Sequence, residues 1–189
     1  MAGDRRRLGT RTNAYLRVRL SGALSTVRAV LDPGRRFPAD HFIGADKTSI
    51  GLGALDVEVL AFLRATGDAL RGGDGSGRRE ALRDAATGYR GDFLHEDPYL
   101  DWAAPLRDQA RARYLHVVRA LAELALAAAD VDEAVEHLLR LLEHDPYDEA
   151  AHLRLMAVLR DAGRHGEARR AYRRYVLRMT DLGVTPARG

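Results

Sequence analysis

A chain of 189 residues, 46% of them hydrophobic, suits one medium domain, or one domain with an appendage, and can supply a real core. No apolar run approaches the roughly 18 residues of a membrane span, the start MAGDRRRLGTRT lacks the apolar centre of a secretory signal, and the absence of cysteine excludes disulfides, thiolate metal sites and cysteine nucleophiles. The net charge of +3 divides unevenly, with ten Lys/Arg against four Asp/Glu in residues 1–53 and twenty against twenty-three in residues 54–189, so a basic head sits on a mildly acidic body. The expectation is a soluble cytoplasmic protein.

From Asn13 to Leu31, the residues Tyr15, Leu16, Leu20, Leu24, Val27, Val30 and Leu31 recur at spacings of three and four, which predicts one apolar stripe on an α-helix. The DPG sequence at 32–34 ends it, because proline cannot continue a helix and glycine permits the reversal. A β-hairpin is expected over 41–52, turning near 45–47. A helix and hairpin of this size cannot enclose a core, so the stripe Tyr15, Leu16, Leu20, Leu24 and Val27 is read as a self-association face. Basic heads of this kind commonly meet polyanions through counterion release.

Everything after Asp56 reads as helical. Asp56 is placed as an N-cap before a helix to about residue 70, with Val57, Leu60, Phe62, Leu63 and Leu70 for burial. RGGDGSGR at 71–78 is a break, REALRDAATGYRGDFL a second helix ending in a turn, and a long helix starts at about Asp101. Trp102 at its head is expected to wedge, buried, between the first and second helical hairpins. Glu133-Ala134 and Glu167-Ala168 recur 34 residues apart, each just inside the second helix of a helix–turn–helix, and Glu80-Ala81 reads as an earlier copy. Ala134 and Ala168 let helices approach closely, while Leu138, Leu141 and Tyr172 fill between them. The fold class is therefore all-α: a tetratricopeptide-like array of helical hairpins over 54–189, preceded by a helix and hairpin over 1–53.

Catalytic and metal chemistry find no motif. His137, His144 and His152 show no HExxH or comparable ligand spacing, so neither metal nor cofactor is expected. HEDP at 95–98 reads as turn chemistry, RGGDGSG lacks the GK[ST] of a phosphate cradle, RGD at 90–92 reads as chance, and no GxSxG elbow occurs. The chain is not read as an enzyme.

The order of parts is more informative than any part alone. Tyr89, Gly91 and Leu94 precede Trp102; Asp145-Pro146 is followed by Glu149; then come Leu155-Met156, Gly163, Ala168 and Tyr172, and finally Leu182-Gly183-Val184. This pattern resembles the bacterial transcriptional activator domain, which follows a winged helix in regulators of the actinomycete antibiotic regulatory protein type. The resemblance runs from about Asn13 to Pro186. It implies that residues 13–31 correspond to a recognition helix and 41–52 to a wing. Only twelve residues precede that helix, so the expectation is the last part of a winged helix, from a truncated product or a natural short protein. The resemblance assigns Arg17, Arg19 and Arg28 to the major groove or flanking phosphates, with Ser21 and Thr26 as weaker donors, and Arg35, Arg36, Lys47 and Thr48 to backbone or minor groove. It also implies homodimer and protein-partner contacts, with the transcription machinery or other regulator domains. A second function class is a free-standing helical-repeat module that binds a protein, peptide or small ligand without DNA.

Overall fold

The computed structural model of the protein describes residues 5–46, 48–53, 57–73, 77–96, 99 and 101–187, and the side chains of the first helix from residue 18 onward. Two compact units divide near residue 57. Among the described residues the structure is helical apart from a two-stranded sheet. Lys47 and the Asp56 cap lie outside the described residues, as do the side chains of Tyr15, Leu16 and Arg17.

The first unit holds α1 (Arg5–Leu31), β1 (Ile43–Ala45) and β2 (Ile50–Leu52). The helix starts earlier than the stripe predicts, because the polar RRRLGTRT segment carries no periodic signal yet contains no proline to stop it. It ends where Asp32 turns the chain, its carboxylate accepting the Arg36 and Phe37 amides at 3.0 and 2.9 Å. The strands pair antiparallel, Ile43 opposite Leu52 and Ala45 opposite Ile50. Asp46 fixes the turn between them by accepting both the amide and the hydroxyl of Thr48 and of Ser49, at 2.6–2.9 Å. Four donors hold its carboxyl well below the usual carboxylate range. At the far end the Gly53 amide donates to the Phe42 carbonyl at 2.8 Å, and a Cβ on Gly53 would stand 2.1 Å from the His41 carbonyl oxygen, so only glycine closes the hairpin here.

The second unit contains α2 (Glu58–Arg71), α3 (Arg78–Thr87), α4 (Ala104–Ala127), α5 (Val131–His144), α6 (Glu149–Asp161) and α7 (His165–Asp181). Consecutive helices pack as α2 on α3, α4 on α5 and α6 on α7, while α4 also meets α2 and α3, and α5 meets α6. Short turns enforce this pairing. The α4–α5 turn carries Ala129 at φ +57° and the α6–α7 turn carries Gly163 at φ +72°, 34 residues on. In both, the next amide reaches back into the preceding helix: Asp130 to the Ala125 carbonyl at 2.9 Å, and Arg164 to the Leu159 carbonyl at 2.8 Å. Asp130 and Asp148 then cap α5 and α6 by accepting the amides of Glu133 and Ala151.

Small residues set the helix spacing. Ala122, Ala125 and Ala134 are fully buried, and Ala168 and Ala171 nearly so. Leu138 and Leu141 are buried as expected and Tyr172 is partly buried against the same cluster. The third copy departs from this pattern. Ala81 lies on the surface and its neighbour Leu82 is fully buried, so α3 turns a leucine inward where α5 and α7 turn an alanine.

Trp102 also departs from expectation. It is 67% exposed, because the single 3₁₀ turn Asp101–Ala103 ahead of α4 points Ala103 inward instead. The aromatic wedge between hairpins is a different group. Tyr89 stacks on Tyr114 at 4.3 Å, with Phe62 against Tyr89 and His144 edge-on to both tyrosines.

Two denaturation measurements follow from this packing. Tyr114→Ala should cost about 3–5 kcal/mol, and Trp102→Ala no more than about 0.5 kcal/mol. Equal losses at the two positions would contradict the assignment of the wedge. Ala134→Leu and Ala168→Leu should each destabilise by about 1–3 kcal/mol through overpacking; unchanged urea midpoints for both would show that these crossings have room to spare.

Candidate nucleic-acid and self-association interface

The predicted interface lies in the first unit. Leu20, Leu24, Val27 and Leu31 follow one another at four, three and four residues and so share one face of α1. Leu20 and Val27 are 47% and 42% exposed, Leu24 is half-buried, and Val30 beside them is exposed. An apolar strip on a helix with basic neighbours is thus on the surface, along the stretch whose side chains are described.

The basic residues have different duties. Arg28 is half-buried, and its guanidinium donates twice to the Ile43 carbonyl, from Nε at 3.2 Å and from Nη2 at 2.6 Å. It straps α1 to the hairpin, so it supports the basic surface more than it extends it. Thr48 is likewise tied to Asp46 through both its amide and its hydroxyl. Arg19 and Ser21 stand exposed on the helix, and Arg35 and Arg36 are exposed in the turn after it, Arg35 with φ +49°. The structure therefore brings Arg28 and the hairpin together at one end of α1 and leaves Arg35 and Arg36 on the connecting turn.

The second unit is held by polar ties between hairpins. Glu133, at the start of α5, accepts Arg79 at 3.1 Å and also Arg83, both from α3, while Arg79 donates to the Leu124 carbonyl at 2.8 Å. The carboxylate is 14% exposed, and its hydrogen bond to Arg83 holds its pKa below the ordinary glutamate range. Arg119 of α4 meets Asp148, the cap of α6, and Arg154 of α6 meets Glu123 of α4 at 2.9 Å. The C-terminal segment is fastened by buried Tyr175, whose hydroxyl donates to Glu149 at 2.6 Å and accepts the Ala187 amide at 2.7 Å. The three histidines weighed as ligands lie apart: His137 beside Glu133, His144 among the tyrosine rings, and His152 on the Pro146 carbonyl at 3.0 Å.

Several signals in the sequence now acquire causes. Tyr89 belongs to the aromatic wedge, Glu149 anchors Tyr175, and Gly163 makes a left-handed turn. The description of the bacterial transcriptional activator domain matches residues 55–189. The chain belongs to the bacterial transcriptional activator domain family. Its role is therefore regulatory, of the transcriptional activator type. The match covers the second unit; α1 and the hairpin lie outside it. Comparison with curated proteins and with solved structures found no match. Sequence reasoning missed Tyr114 and His144 as partners of Tyr89, since neither spacing nor residue type places them together.

The Glu133 ties give this activator domain an acid-sensitive joint. A carboxylate with a depressed folded pKa contributes stability above its unfolded value, near 4.5, and loses it as pH falls through the folded value. Stability of the parent should therefore drop as pH descends below about 4.5, and Glu133→Gln should flatten that part of the profile while lowering stability at neutral pH. Parallel melting curves of parent and variant across this range would show that Glu133 titrates as freely folded as unfolded.

Proposed function

We propose that this protein is a non-catalytic transcriptional regulator, cytoplasmic, acting through protein–protein contacts and self-association, with weak DNA contact from its basic head. The second unit is a tetratricopeptide-like array. The 34-residue recurrence of Ala129 with Gly163 and of Ala134 with Ala168 supports that reading. A repeat array displays helix faces to partners, here the transcription machinery or other regulator domains. α1 and the hairpin correspond to the recognition helix and wing of a winged helix.

The observation that carries self-association is the exposed strip Leu20, Val27 and Val30 on α1. Apolar side chains gain roughly 25 cal/mol per Å² on leaving water, and a two-fold pair buries such a strip against itself. DNA contact rests on the exposed Arg19, Arg35 and Arg36. Phosphate contacts of this kind give non-specific affinities of about 10⁻⁴–10⁻⁶ M at physiological salt.

Sedimentation of the full chain at micromolar concentration tests the pairing. A dimer that dissociates on Leu20→Glu is the expected result. A monomer unchanged by that substitution would remove self-association through α1 from the proposal. Duplex DNA binding, measured in the same samples, should weaken steeply with added salt.

A further inference from the structure

The second unit carries a groove that neither the family match nor the basic head accounts for. α6 packs on both α5 and α7, and a cleft of about 540 Å³ opens between α5 and α7 with Leu155 and Leu159 of α6 at its base. Val135 and Leu139 line one side and Leu177 the other. A second cleft of about 360 Å³ continues it, sharing Leu139, Arg174 and Leu177 and reaching Leu142, Pro146 and His152. Leu139 and Leu177 are 41% and 59% exposed, so the lining is apolar and open to water.

The rim of this groove is basic. α7 holds five arginines against two acids, although residues 54–189 as a whole carry more acids than bases. Arg170, Arg173, Arg174 and Arg178 all line the groove. Arg178 lies over the Tyr147 ring and near Asp181, and Arg170 stands beside Glu167. Glu167 is itself occupied by Arg164 at 2.7 and 2.8 Å, and Glu143 lies at the smaller end. Among the described residues, Arg173 and Arg174 make no ion pair, and both are exposed. At that smaller end His152 is 4% exposed, with its Nε2 on the Pro146 carbonyl and its Nδ1 without a partner.

From this we infer that the α5–α7 groove is a docking site for an acidic amphipathic helix of a partner protein, which buries leucine-like side chains on Leu139 and Leu177 and sets carboxylates against Arg173 and Arg174. An apolar floor with one-sided positive charge is what such a segment requires, since each part of the segment finds its complement. The same floor disfavours nucleic acid, whose phosphates gain nothing from exposed leucines. The inference concerns a surface separate from α1, so it stands or falls independently of self-association.

The test is fluorescence anisotropy of the full chain with a labelled peptide of helical design, leucines at i, i+3, i+4 and i+7 and glutamates elsewhere. Saturable binding is expected, weakened by raising NaCl from about 0.05 to about 0.5 M. The double variant Arg173→Glu/Arg174→Glu and the single variant Leu177→Glu should each reduce affinity roughly tenfold or more. All three positions are exposed, so circular-dichroism melting should be unaltered. A peptide with lysine in place of every glutamate probes the same charge rule without altering the protein, and should not bind. Leu20→Glu should bind the acidic peptide as the parent does; loss there would move the site to α1 and overturn the inference. So would unaltered affinity in the groove variants, equal binding of the lysine peptide, no binding at all, or an Arg173/Arg174-dependent affinity for duplex DNA in place of the peptide.

Discussion

The distance between helix axes governs the second unit, and alanine sets that distance. Ala122 and Ala125 on α4, Ala134 on α5, and Ala168 and Ala171 on α7 are all buried. A methyl group at a crossing lets two backbones approach, so that the larger side chains between crossings interlock. Leu121, Leu138, Leu141, Leu155 and Tyr175 then fill the interior with almost no exposure. Interiors are packed as densely as organic crystals, so the spacing chosen at one crossing propagates to the next. The left-handed turns at Ala129 and Gly163 depend on the same constraint, since they return each helix along its predecessor at that separation.

Polar ties add selectivity to this packing. Most ion pairs of the unit, such as Arg140 with Glu136 and Arg154 with Glu123, are substantially exposed and worth little each. Glu133 is different, because it is mostly buried and bridges α3 to α5 through two arginines, one of which also reaches the end of α4. It fixes the hairpin α2–α3 on the rest, where alanine packing is interrupted by Leu82 in place of Ala81. Tyr175 plays the matching part at the other end, drawing the chain after α7 back onto the α6 N-terminus.

Charge distinguishes the two units. The first is basic, and in it Arg28 joins helix to hairpin while Arg19, Arg35 and Arg36 are exposed. The second is acidic overall yet concentrates arginine on α7. A regulator built this way offers two chemically distinct surfaces: an apolar strip with basic neighbours on α1, and an apolar groove with a basic rim between α5 and α7.

The sequence by itself determined most of the helices, the breaks between them and the recurrence, because periodicity and chain-breaking residues act within a few residues of the chain, whereas the first turns of α1 carried no periodic signal. It carried the apolar stripe of α1, the hairpin over 41–52, the 34-residue register, the burial of Ala134 and Ala168, and the family pattern in Tyr89, Glu149 and Gly163. It did not determine which way side chains face where regular structure is interrupted. One 3₁₀ turn sends Trp102 outward and Ala103 inward, and the stack of Tyr89, Tyr114 and His144 gathers residues from three separate places in the chain. Arg28 reads as a surface cation until the Ile43 carbonyl arrives beside it. The groove was equally illegible, since Leu139 on α5 and Arg174 on α7 become neighbours only once α6 holds those two helices apart. Local rules fix elements, but a site made between elements exists only after packing has chosen their separation.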